Sequence, residues 1–151
     1  MEHNTNTELT RTWKKRFDFY EKNGLPGSKE YASAIKALPL LKRIVYSGNW
    51  FAFFFGIIYF CIIGLWKKGL VLFVCVCLVN IILGIIEMST TANLERTARM
   101  TNLIYAFYCC RVANVAFYLK TVKGIDGWNP FEGFSQKSAA ELAALPSKET
   151  Y

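Results

Sequence analysis

Apolar and polar positions segregate along this chain instead of interleaving. From Ile44 to Trp66 run 23 residues without a charge; after Lys67-Lys68-Gly69 the run resumes from Leu70 to Ile86, broken only by Asn80. At 1.5 Å per residue the first run makes about 34 Å of helix, enough for a hydrocarbon core about 30 Å thick. In lipid, only helices and closed barrels satisfy their own backbone polar groups. The pattern therefore predicts a membrane hairpin with Lys67-Lys68-Gly69 as its turn. Tyr46, Trp50 and Trp66 fall at segment ends, where amphipathic rings favour the interface.

Met100 to Leu119 is apolar but carries Arg111 and Asn114. Its seven strong insertion promoters offer roughly 2–4 kcal/mol, and Arg111 alone costs roughly 2.5–3.5 kcal/mol at mid-depth. The segment is expected to enter the membrane only by packing on the hairpin, with Arg111 and Asn114 turned inward or snorkelling, or else to lie in the interface. The polar residues Asn80, Asn102, Arg111 and Asn114 form the candidate intramembrane cluster, as an ion or ligand path or as helix–helix glue. Asn80 and Asn102 would hydrogen-bond if their helices run antiparallel at similar depth. Ala52 and Gly56, with the stripe Ala106, Cys109, Ala113 and Ala116, let helices approach closely, within one chain or across a homo-oligomer seam. Glu87 is expected to pair with Arg96 or Arg99.

The flanks read differently. Thr7 to Asn23 predicts an amphipathic helix with the stripe Leu9, Trp13, Phe17 and Tyr20, stopped by Gly24. Ser28 caps a second short helix that Pro39 ends. Trp13, Lys14, Lys15, Arg16 and Phe17 are the candidate contact surface for anionic lipid or a partner; the alternative is a small helical cap folded on itself or on a partner. After Gly124, Trp128 and Phe131 anchor a turn-rich tail at the headgroups or on the helices, and Ser138-Ala-Ala-Glu141 resembles a capping box for a last short helix ended by Pro146.

Composition sharpens this. The 151 residues are 53% hydrophobic and 19% charged, against about 25% charged in ordinary globular domains. The net charge is +7, and nine of the eighteen basic residues precede residue 44. A basic patch beside a long apolar run fits an anionic membrane surface, and no nucleic-acid module accompanies it. Residues 1–35 lack the apolar core and cleavage site of a signal peptide. The five cysteines sit in apolar segments as small fillers, the only histidine is His3, and neither a metal site nor a catalytic constellation can be drawn. Positive residues before the first run predict a cytoplasmic N-terminus. If the third segment spans, Lys120 and Lys123 fall outside; if it does not, only Lys67 and Lys68 do.

The expected protein is all-α and membrane-integral. It has a basic cap over residues 1–43 and a membrane domain over 44–121, with spans near 44–66, 70–88 and 98–120. A tail over 122–151 carries the Trp-Asn-Pro-Phe anchor. Its partners would be anionic headgroups and a homo-oligomer or membrane-protein partner. Two functions fit: a non-enzymatic membrane-anchored interaction or regulatory module, or a small oligomeric channel or transporter subunit.

Several motifs in one order carry a resemblance: W-K-K-R-F-x-F-Y-E-K-N-G at 13–24, K-A-L-P at 36–39, N-W-F-A-F-F-F-G-I-I-Y-F at 49–60, G-L-W-K-K at 64–68 and V-K-G-x-D-x-W-N-P-F at 122–131. Together they resemble the YigF-like bacterial inner-membrane proteins, a domain-of-unknown-function family. The resemblance implies a multi-pass location in a bacterial inner membrane and no reaction, cofactor or substrate. That family usually has a proline in a G-P-I-Y run where this chain reads G-I-I-Y at 56–59.

Overall fold

A computed structural model describes residues 11–90 and 93–147. These residues form helices α1 (Arg11–Asn23), α2 (Lys29–Ala37), α3 (Leu40–Ser47), α4 (Trp50–Ile62), α5 (Trp66–Ser89), α6 (Glu95–Tyr118) and α7 (Gln136–Ala143), with no strand among them. A π-helical turn over Leu119–Lys123 extends α6 and stops at Gly124. The all-α expectation holds. Ser28 caps α2 as predicted, its Oγ accepting the Tyr31 N–H at 3.2 Å. The last helix starts earlier than predicted. Ser135 caps α7 by accepting the Ser138 N–H, while the Ser138 hydroxyl accepts from Gly133 N–H.

Two stretches, Leu40–Ile62 and Trp66–Ser89, are long and apolar enough to cross a membrane by length and composition. The second is one helix, about 36 Å long. The first is not a rod. The chain leaves the helix at Gly48, restarts at the Asn49 cap and breaks again inside α4 at Gly56, where φ is 47° and ψ is −126°. Those angles match the first central residue of a type II′ turn, a position for glycine. The break reverses the chain. Asn49 N–H donates to Cys110 O, Phe53 stacks edge-on with Phe107, and Gly56 meets Tyr105, so the first half of α4 descends along α6. Then the path returns: Phe60 joins Val112 and Ala116 in one core, and Gly64 O accepts from Lys120 Nζ at 2.5 Å. The uninterrupted helix expected over 44–66 is thus a pair of half-helices that doubles back at Gly56. Lys67, Lys68 and Gly69 lie in the first turn of α5, and the turn itself is at Ile63–Leu65.

α5 and α6 run antiparallel, and Asn80 Nδ2 donates to Asn102 Oδ1 at 3.1 Å as the sequence suggested. That register puts Arg111 level with Val71 and Tyr105 level with Cys77. Gly56 therefore stops about halfway down the pair.

The C-terminal half of α6 is the hub. On one side Val115, Tyr118, Leu119 and Val122 pack against Phe17, Tyr20, Leu25, Tyr31 and Leu142. On the other, Cys109, Val112, Ala113 and Ala116 pack against Ala52, Phe60, Leu65 and Leu72. The small-residue stripe is consumed within the chain: Cys109, Ala113 and Ala52 are fully buried. Gly69 lets α5 meet α4, since a Cβ there would sit 2.5 Å from that of Phe60. Below Tyr105 the α5–α6 pair stands alone among the described residues, with Leu78, Ile81, Ile82, Ile85, Leu103 and Ile104 exposed.

Candidate functional site

The four residues of the candidate polar cluster do not converge. Asn80 and Asn102 bond one another on an exposed face, and Asn80 also donates to Val76 O at 2.8 Å. Arg111 is exposed, whereas Asn114 is completely buried and neither of its side-chain polar atoms has a partner. Their i,i+3 spacing leaves a 60° offset, and the cap covers one side of it only. No shared path lines up through these residues. Glu87 also departs from expectation: it accepts the Leu94 N–H at 3.4 Å, and Arg99 pairs with Glu95.

The aromatic stripe of α1 faces inward, which corrects the assignment of Phe17 and Arg16 to an outer contact surface. Phe17 is fully buried, 5.9 Å from Phe117 and 5.4 Å from Tyr118 between ring centroids. Trp13, half-buried, packs on Phe117 at 4.5 Å. Leu9, the first residue of the stripe, lies outside the described residues. Lys14 and Lys15 alone of the five stay exposed.

Arg16 is only 9% exposed and ties α1 to α3. Its Nε donates to Val45 O at 3.0 Å and its Nη2 to Gly48 O at 2.9 Å, while its guanidinium stands 5.0 Å over the Trp13 ring. Those carbonyls are at the C-terminal end of α3, the negative end of its dipole. Desolvation lowers its pKa from the ordinary arginine value. Among the described residues none of its partners is a carboxylate. Beside it opens a cleft of about 270 Å³ between α1 and α3, where Thr12, Lys15 and Lys42 join Arg16.

A second charged set closes the other side of the same end. Lys68, 1% exposed, donates to Glu132 Oε2 at 2.5 Å. Lys67 and Lys120 both approach Asp126 at 3.6 Å, and Trp128 packs edge-on against Trp66 at 5.4 Å. Phe131 contacts Tyr108. The tail is thus pinned on the helices by Lys68, Glu132 and Asp126, which periodicity could not flag. Asn49 was legible only as a cap: its Oδ1 accepts from Phe51 and Ala52 N–H, ahead of an apolar run.

Comparison with known proteins agrees with the motifs. A family model described as "Protein of unknown function (DUF2628)" matches residues 3–123. The uncharacterized protein YigF of Salmonella typhimurium is 38% identical over 125 residues, covering 80% of this chain and 91% of that protein. Its counterpart in Escherichia coli K12 is 34% identical over the same shares. No solved structure matches the chain. With the motifs, the family match and these relatives in agreement, the chain belongs to the YigF-like family of proteins of unknown function, DUF2628.

Proposed function

We propose that the protein is a non-enzymatic interaction module held in a bacterial inner membrane by the α5–α6 pair. α4 enters and leaves from the same side as the cap. The observation that carries this is the distribution of charge along the pair. Of the seventeen described lysines and arginines, only Arg96 and Arg99 lie at its far end, where Glu87 and Glu95 offset them. The rest gather at the end that holds the cap, Lys67, Lys68, Lys120 and Lys123. The positive-inside rule makes that end cytoplasmic. In this arrangement Arg111, level with Val71, lies near the headgroups and not at mid-depth, which removes most of its insertion cost.

The test is accessibility labelling in a variant with all five native cysteines replaced, carrying single probes Lys67→Cys, Asn93→Cys or Ser135→Cys. The expected result is that 67 and 135 react from the cytoplasmic side and 93 from the other. Opposite sides for 67 and 135 would reject the arrangement.

One observation favours the second reading, a transporter or channel subunit. Broken half-helices ending at mid-depth are the way transporters build sites in the membrane. That reading requires an assembly larger than one chain, and native mass spectrometry in mild detergent showing only monomer removes it.

A further inference from the structure

We infer that the cleft between α1 and α3 binds the headgroup of an anionic phospholipid. The inference rests on the membrane reading above and names what the cap would recognise.

Charge comes first. The cleft brings together three cations, Lys15, Arg16 and Lys42, and the hydroxyl of Thr12, with no acidic residue among the described residues that line it. Arg16 is a nearly buried guanidinium with no carboxylate partner among the described residues; it donates to two carbonyls and stands over an indole face. A buried cation of that kind is compensated by an anion beside it. Lys15 and Lys42 are exposed and take no part in the ion pairs that hold the tail.

Shape and surroundings select a lipid over a soluble anion. The same cleft is lined by Leu41 and Val45, and α3 turns an apolar face outward, with Leu40 70% and Leu41 80% exposed. That face continues through Ile44 toward the apolar surface of α4, where Phe51 and Phe54 are exposed. A phosphodiester in the cleft would leave its acyl chains against α3, while Lys15 and Lys42 reach its oxygens from opposite walls. The cleft lies at the end of the molecule where the basic residues gather, the level at which headgroups stand in the proposed orientation.

The experiment uses the full chain purified in mild detergent. Binding of phosphatidylglycerol and of phosphatidylcholine is compared by native mass spectrometry and thermal stability. Phosphatidylglycerol is expected to be retained and to raise the melting temperature, and phosphatidylcholine is not. The variant Lys15→Ala/Lys42→Ala should weaken phosphatidylglycerol binding about twenty-fivefold, since each lysine near an anionic surface contributes about fivefold. Lys22→Ala/Lys29→Ala, with the same charge change on exposed positions away from the cleft, should bind like the parent. Equal binding of the two lipids, or equal loss in both variants, overturns the assignment. So does glycerol 3-phosphate binding as tightly as the lipid, which would make the cleft a soluble phosphate-ester site. If the protein sediments with membranes but does not discriminate between lipids, the cleft assignment fails alone. Recovery in the soluble fraction without detergent would fail the membrane reading as well.

Discussion

Asn49 Nδ2 donates a hydrogen bond to Tyr59 Oη at 3.0 Å, although ten residues separate them. In an unbroken helix their backbones would stand about 15 Å apart. The bond is possible only because the chain doubles back at Gly56, and Phe51 stacks on Tyr59 for the same reason.

Gly56→Ala should therefore destabilise the fold by about 1–3 kcal/mol, because a side chain is forced into a glycine conformation. The added Cβ would also stand 3.1 Å from Tyr105 Oη. Gly84→Ala is the control: it lies inside α5 with open space around it, and should stabilise by about 0.5–1 kcal/mol. Thermal unfolding in detergent measures both. Equal effects at the two positions would contradict the fold-back.

Asn114 has no partner for either side-chain polar atom at zero exposure. Leucine has the same branched side chain of four heavy atoms and carries no buried polar group. Asn114→Leu is expected to raise stability by about 1–3 kcal/mol, the desolvation penalty of an orphaned group. A loss of stability in the same assay would show that Asn114 is bonded in the folded protein.

Glu132→Gln leaves Lys68, 1% exposed, without its counter-charge and should cost about 2–4 kcal/mol. Replacing both, as Lys68→Met/Glu132→Leu, should recover most of the loss, because the penalty comes from an uncompensated charge. A double variant no more stable than Glu132→Gln would refute this account of how the tail is pinned.

Burial raises the pKa of Tyr20 and of Tyr31 by disfavouring their phenolates. The folded cap then holds protons that the unfolded chain releases above about pH 10. Stability should stay level up to that pH and fall beyond it, followed by the absorbance of tyrosinate. Tyr31→Phe should be neutral or stabilising by about 1 kcal/mol, since the hydroxyl has no partner, and should lessen the alkaline loss.

Helix content was legible wherever one residue enforced a boundary. Gly24, Ser28 and Pro39 end or begin elements where their backbone chemistry requires it. The aromatic periodicity of α1 located its packed face, but periodicity alone does not say whether such a face meets lipid or protein; Phe117 and Tyr118 decide it from about a hundred residues away. The fold-back was missed because Gly56 also fits a close-packing pair with Ala52, and no proline marks the break. The contacts that distinguish the two readings, Asn49 with Tyr59, Gly56 with Tyr105 and Gly64 with Lys120, join residues that periodicity does not relate. The basic cleft escaped notice for a similar reason. Lys15 and Lys42 come from different helices, and their proximity follows from the bond between Arg16 and the end of α3.

The halfway stop at Gly56 has a mechanical consequence. If α5 and α6 cross a bilayer, four helical segments occupy the leaflet nearer the cap and two occupy the other. The molecule's footprint is then unequal in the two monolayers, and it acts as a wedge. A wedge with its broad end at the cytoplasmic surface relieves packing stress where that monolayer is the outer side of a bend. The protein should therefore concentrate where the inner membrane bulges toward the cytoplasm and be depleted from its flat expanses.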